Sequence, residues 1–294
     1  MTIESTLRAR EHPPKRGTPL ETVSLSQLTT WLSCPLKFKF MYKEGIKEPT
    51  SPRMFLGRRV HDALDFYYQN RIEGLTPSPD AVRRYVLAKW PIAMASEQPQ
   101  FDSSAEQTAL QQQCLSLIDT YFEQSDIENE GIPIASNQTW NLPLVAPGTN
   151  NKLAASLTGA FDLVLISEHG PVVVDFRTSS RTDSSPDVAH EIKLACYAYA
   201  FRELYGESEV ELQIRSLIRT KTPKMQVRRF PAPTTKHFHR MFAVIRAYLE
   251  DVRSNRYIYR PGWPCSQCTY RETHCAAWEG KSEPNIYRKE DLWN

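Results

Sequence analysis

Apolar residues in the first third of the chain recur at helical spacing. In "SLSQLTTWLSCPLKFKFMYKEGI" (24–46), serine caps precede Leu28, Trp31, Leu32 and Leu36, and Gly45 is a stop signal, which predicts a helix. "SPRMFLGRRVHDALDFYYQNRIEG" (51–74) predicts a second helix closed at Gly74, and residues 79–96 and 104–126 predict two more. "EGIPIASNQ" breaks the pattern, and the texture changes at about residue 136. "NQTWNLPLV", "LAASLTGAFDLVLIS", "PVVVDF", "VELQIRSLIRT" and "KMQVRRF" read as strands, several of them alternating. A helix over 187–206 lies between the third and fourth strands, and another covers 233–254. From "RYIYRPGWPCSQCTYRETHC" onward the chain is loop-like. A helical half followed by β-β-β-α-β-β-α predicts a mixed α/β (α+β) fold around one sheet.

Composition narrows this little. The chain has 294 residues, 40% hydrophobic and 24% charged, with net charge +2, so any nucleic-acid contact must come from local basic clusters. No apolar run is long enough for a membrane span, and the polar start "MTIESTLRAREHPPKRGTPLE" has no signal-peptide core. We expect a flexible tail over 1–22, a cytoplasmic location and no membrane partner. In that reducing setting the six cysteines point to a metal or cluster more than to disulfides.

Two acids stand out. Asp162 in "TGAFDLVLIS" and Asp175 in "VVVDF" lie on strands joined by the short "SEHGP" turn, a hairpin that would bring both carboxylates to one end of the sheet. Such a pair repels unless a divalent cation sits between its members, and oxygen ligands favour Mg²⁺ or Mn²⁺. His61 as an added nitrogen ligand leans towards Mn²⁺. The residues alone equally allow Asp162 to cap a turn, Asp175 to pair with Arg177, and His61 to be an ordinary helix residue.

"GRRVHDAL" around His61, "LTGAFDLVLI" around Asp162, "VVVDFRTS" around Asp175 and "KLACYAYAF" around Tyr197 occur in an order that resembles the RecB-type nucleases of the PD-(D/E)XK superfamily. The resemblance implies a restriction-endonuclease-like core, a central mixed sheet flanked by helices, within one nuclease domain over 23–280. Within it, 75–135 would be a helical insertion, 136–254 the catalytic core and 255–280 a cluster-binding tail, with a C-terminal tail at 281–294. It also implies metal-dependent hydrolysis of DNA, with His61, Asp162, Asp175 and the Phe176 carbonyl as metal ligands, and a site role for Tyr197.

One position departs from the pattern. The resemblance calls for lysine where Arg177 stands, two positions from Asp175 and so on the same strand face. Arginine can hold a phosphate but effectively never gives up a proton. Lys193, four residues before Tyr197 on one helix face, replaces the glutamine of the pattern. Lys193 is therefore expected to supply the missing ammonium, with Arg177 as a phosphate contact. The rival reading is a catalytically impaired DNA-binding or scaffolding subunit.

Cys265, Cys268 and Cys275 follow Cys-X2-Cys-X6-Cys, a ligand spacing that leaves one tetrahedral position open, and Cys34 is the candidate for it. This split set resembles the iron–sulfur nucleases of the same family, including the AddB nuclease domain and CRISPR-associated nucleases. That resemblance implies a 4Fe–4S cluster clamping the N-terminal helix to the C-terminal tail; a four-cysteine zinc site is the other reading. Cys114 and Cys196 fall in apolar helical patterns and are read as core, as are Tyr67, Tyr68 and Trp31.

Lys37 and Lys39, interleaved with aromatics, and Arg215, Arg219, Lys221 and Arg228 on a predicted hairpin are candidates for phosphate contacts and base stacking. The whole predicts a DNA exonuclease acting on single strands or duplex ends, in repair, recombination or phage-related processing. With no helicase motif present, any unwinding would come from a partner subunit.

Overall fold

The computed structural model describes residues 20–146, 151–180, 182 and 188–276. Short strand β1 (Thr22–Ser24) leads into α1 (Leu25–Ser33), α2 (Pro35–Phe38) and a π-helical turn, Lys39–Lys43. Then come α3 (Pro52–Ile72), α4 (Pro79–Glu97), α5 (Ser104–Gln124), β2 (Ile132–Val145), β3 (Lys152–Ser167) and β4 (Gly170–Ser179). The chain continues through α6 (Val188–Tyr205), β5 (Glu211–Ile218), β6 (Lys224–Pro231) and α7 (Thr235–Arg253).

The expected helix over 24–46 is instead three pieces. Ser24 caps α1 with a capping box, but Cys34 is extended at φ −160°, ψ 112°. The physical reason is Pro35, whose ring disfavours helical backbone in the residue before it. The break turns Cys34 out of the helical run. Two further boundaries moved: β2 starts at Ile132, ahead of the change of texture at 136, and β1 begins at Thr22, the last residue of the expected tail. Residues 1–19 and 277–294, with most of the expected N-terminal tail and all of the expected C-terminal tail, lie outside the described residues.

The six strands form one mixed sheet in the order β1-β3-β4-β5-β6, with β2 on β3. Leu163 pairs with Val174 and Ser167 with Gly170, so β3 and β4 form the expected hairpin. The long β3 decides where the sheet opens. One of its edges is covered by antiparallel β2 from Lys152 to Ile166. Its other edge carries parallel β1 at Ser156–Thr158 and antiparallel β4 at Leu163–Ser167. Between them Gly159–Asp162 has no strand beside it, and Asp162 ends that gap.

Each face of the sheet carries an apolar layer. α1, α6 and α7 pack one face through Trp31, Phe201, Phe242 and Tyr248, while α3, α4 and α5 pack the other through Phe55, Tyr68, Trp90 and Tyr121. Cys114 and Cys196 are fully buried in these layers, and Trp31, Tyr67 and Tyr68 are core residues, as expected. Among the described residues no helix is long and apolar enough to cross a membrane.

Candidate active site

β3, β4, α3 and α6 converge at the gap in the sheet. Past the Leu163–Val174 pair the hairpin strands part, and the backbone N–H of Phe176 donates to Asp162 Oδ2 at 2.8 Å. Asp162 is thereby fixed with Oδ1 turned to α3. A Cβ on Gly57 would lie 3.0 Å from Thr178 Oγ1, so this glycine lets α3 settle on the end of β4. His61, one turn on from Gly57, then reaches Asp162: Nδ1 is 3.7 Å from Oδ1. Its ring meets Phe176 edge-on at 6.4 Å.

Asp175 is wholly buried. It has two cationic partners: Arg177 Nε donates to Oδ2 at 2.6 Å, and Lys193 Nζ donates to Oδ1. Burial alone would raise its pKa, but Lys193 and Arg177 prevail and hold the carboxyl well below the ordinary range. Asp162 moves the opposite way. Burial raises it, as does neighbouring Asp175, against opposing help from His61, Lys193 and the Phe176 N–H. Two adjacent carboxyls are thus pushed apart in acidity, one committed to the ionised state and one in want of positive charge. Tyr197 lies against the pair; burial, both carboxylates and its hydrogen bond to Asp175 push its phenol far up, and Lys193 sits 5.2 Å from its ring centre.

Asp162, His61, Phe176 and Thr178 line a cavity of about 610 Å³, with Arg53, Arg58, Asp62, Asp65 and Asn137 around them. Among the described residues no three His, Cys, Asp or Glu side chains stand together as a ready metal cage. Asp162 and His61 nevertheless fit a divalent cation: a hard oxygen and an imidazole face one cavity, and the carboxylate is under-compensated. Asp175 stands beside them, occupied by Lys193 and Arg177.

The four expected cysteine ligands face one cavity without forming, among the described residues, a ready metal cage. Cys34, Cys265, Cys268 and Cys275 line one cavity of about 330 Å³ that has no carboxylate in its lining, and none of them is in a disulfide. Leu36, Phe40 and Tyr270 form the apolar cluster beside it. A thiol-lined, carboxylate-free cavity fits a soft thiolate-bound group.

The basic residues separate. Arg215 is not on the surface: it is 5% exposed and its Nη1 donates to Glu130 at 2.5 Å and to Tyr121 at 3.0 Å. The alternation of β5 turns it inward, onto α3 and α5, which corrects its expected role as a phosphate contact. Lys37 and Lys39 have ion-pair partners in Glu48 (2.9 Å) and Glu44 (3.3 Å). Arg219 leaves its buried Nε without a hydrogen-bond partner, Arg228 lies over Phe230, and Lys221 is exposed. Asn137, Arg53 and Thr178 escaped the sequence reading, since only the fold brings them to the cavity.

Residues 22–273 match the PD-(D/E)XK nuclease superfamily, and the chain belongs to it. Among solved structures, a Eubacterium rectale protein named "Putative exonuclease" shares the fold: TM-score 0.52 at 13% identity, covering 87% of this chain and 89% of that one. The protein SSO0001 aligns at 12% identity and TM-score 0.44 over 89% of this chain and 87% of that one. No curated protein matches the sequence significantly.

Proposed function

We propose that the chain is a RecB-type DNA nuclease, an exonuclease on single strands or duplex ends that serves repair, recombination or phage-related processing. The observation that carries this reading is the charge arrangement on adjacent strands: ionised Asp175 under Lys193 and Arg177, beside under-compensated Asp162 and His61. His61, Asp162 and Asp175, with the Phe176 carbonyl, are the residues that would hold Mg²⁺ or Mn²⁺. Such a cation supplies Lewis acidity and offsets the negative charge that develops on phosphate during hydrolysis. Lys193 places an ammonium at the same point from α6 and can donate a hydrogen bond to a phosphate oxygen or hold a proton. Arg177 adds fixed positive charge and no proton transfer. Tyr197, buried and neutral, keeps Lys193 and Asp175 in register.

We propose further that Cys34, Cys265, Cys268 and Cys275 bind a 4Fe–4S cluster joining the N-terminal helices to the C-terminal segment, with zinc as the rival occupant. Such a clasp closes a very long loop and stabilises the fold by constraining the unfolded chain. Iron and sulfide analysis with a visible spectrum decides it; a colourless protein holding zinc and no iron refutes the cluster. Digestion of end-labelled single- and double-stranded DNA with Mn²⁺ tests the activity. The presence of arginine at 177 favours one alternative, an impaired DNA-binding subunit, for which wild type and Asp175→Ala would leave DNA equally intact.

A further inference from the structure

A second cavity, of about 530 Å³, adjoins the candidate active site and shares Lys193 and Tyr197 with it. The first cavity reaches Asn137 on β2 and Asp162 on β3, while the second begins at Thr139 and Ala160, a paired couple two residues further along both strands. That offset is about 7 Å at strand rise. The second cavity therefore lies along the part of β3 that has no strand beside it, between β1 and β4. Lys193 and Tyr197 form its inner wall, so the ammonium on Asp175 is reached from this side, while His61 and Asp162 are reached from the other.

Its lining has a definite chemistry. Ser24, Ser26, Thr29, Thr139 and Thr158 line it; Ser24 and Ser26 share a hydrogen bond and Thr29 donates to the Leu25 carbonyl, which leaves Thr139 and Thr158 as its strand hydroxyls. Lys193 is its one cation and its lining has no Asp or Glu, whereas the first cavity holds Asp62, Asp65 and Asp162. Gly159 lets the buried Trp140 ring seat directly against β3: any Cβ there would fall 2.5 Å from its Cζ2. The indole Nε1 of Trp140 is itself buried without a hydrogen-bond partner. Strand hydroxyls beside an ammonium that Asp175 holds in place, with no carboxylate in the lining itself, suit the sugar and phosphate oxygens of a nucleic-acid backbone.

We propose that this hydroxyl-lined groove is the track for a single polynucleotide strand, which runs past Lys193 and Asp162 and continues into the first cavity. The inference rests on the nuclease reading and adds to it that the substrate is a single strand extending on both sides of the reacting phosphate. Contacts in the groove are mostly neutral, so they add affinity without adding salt dependence.

The test is the length dependence of binding. Fluorescence anisotropy is measured in EDTA on the full chain with labelled oligothymidylates of about 4 to 16 nucleotides, the range such sites span. Thr139→Val with Thr158→Val removes two hydroxyls at nearly constant shape and keeps strand propensity. The double variant should bind long oligonucleotides roughly tenfold more weakly, as expected for two lost hydrogen bonds, with an unchanged salt slope. The shortest oligonucleotides should bind the two proteins alike. Thr139→Trp, which fills the groove from exposed β2, should bring forward the length at which affinity stops rising. Variants that match wild type at every length overturn the groove. A wild type that binds with this length dependence yet leaves DNA intact with Mn²⁺ overturns the nuclease reading alone.

Discussion

Removing both cations from Asp175 should reverse its effect on stability, and removing one should not. The carboxyl is wholly buried and each oxygen has its own cation, Lys193 on Oδ1 and Arg177 on Oδ2. Lys193→Met leaves the Arg177 bond, so the expected loss is that of one hydrogen bond to a charged group, about 1.5–3 kcal/mol. Arg177→Met should cost a similar amount. The double variant leaves a buried charge with no partner, which costs about 3–5 kcal/mol or more. The pH dependence is the sharper readout. In the wild type the pKa of Asp175 is depressed, so its contribution is fully present above the ordinary carboxylate pKa of about 4 and is lost as pH falls further. In the double variant burial acts unopposed and raises the pKa. The folded state then binds the proton more tightly than the unfolded chain, and stability relative to wild type rises as pH falls towards about 4. Urea unfolding across a pH series measures both effects. An unchanged pH dependence in the double variant would show that Lys193 and Arg177 do not compensate Asp175.

Glu130 accepts hydrogen bonds from Arg71, Tyr68 and buried Arg215, so Glu130→Ala should destabilise by about 3–5 kcal/mol in denaturant melts while the salt slope of DNA binding stays unchanged. Gly159→Ala should cost about 1–3 kcal/mol, because its methyl would meet the ring of fully buried Trp140, whereas alanine at Gly45 should show only backbone strain at φ +69°. Cys34→Ser should abolish bound iron, measured on anaerobically purified protein, and lower the unfolding temperature; full iron content in the variant would exclude Cys34 as a ligand.

Much of the fold was legible because the signals are local. Serine caps, glycine stops and the change of period near the middle of the chain mark most elements within a few residues. The carboxylate pair was legible too, since one short turn fixes the register that brings Asp162 beside Asp175. Lys193 could be read from its i, i+4 relation to Tyr197 together with the family pattern. What stayed hidden depends on neighbours distant in the chain. Pro35 breaks a helix whose apolar spacing runs on through it, so Cys34 looked like a helix residue. Arg215 reads as one more basic residue of a hairpin, yet strand parity turns it onto Glu130, which no local pattern connects to it. The groove beside Lys193 is assembled from β1, α1, β2, β3 and α6, and exists only because two strands share one edge of β3 and leave a gap.

The central claim is that Asp175 belongs to a working hydrolytic site and is more than an ion-pair partner of Arg177. The most direct measurement is digestion of end-labelled single-stranded DNA with Mn²⁺ by wild type, Asp175→Asn and Lys193→Ala, each first shown to be folded. The account predicts cleavage by wild type, with loss of roughly a hundredfold or more in both variants, as for removal of a charge-stabilising group from an active site. Equal cleavage by Lys193→Ala would contradict the role given to Lys193, and equal results for wild type and Asp175→Asn would contradict the site itself.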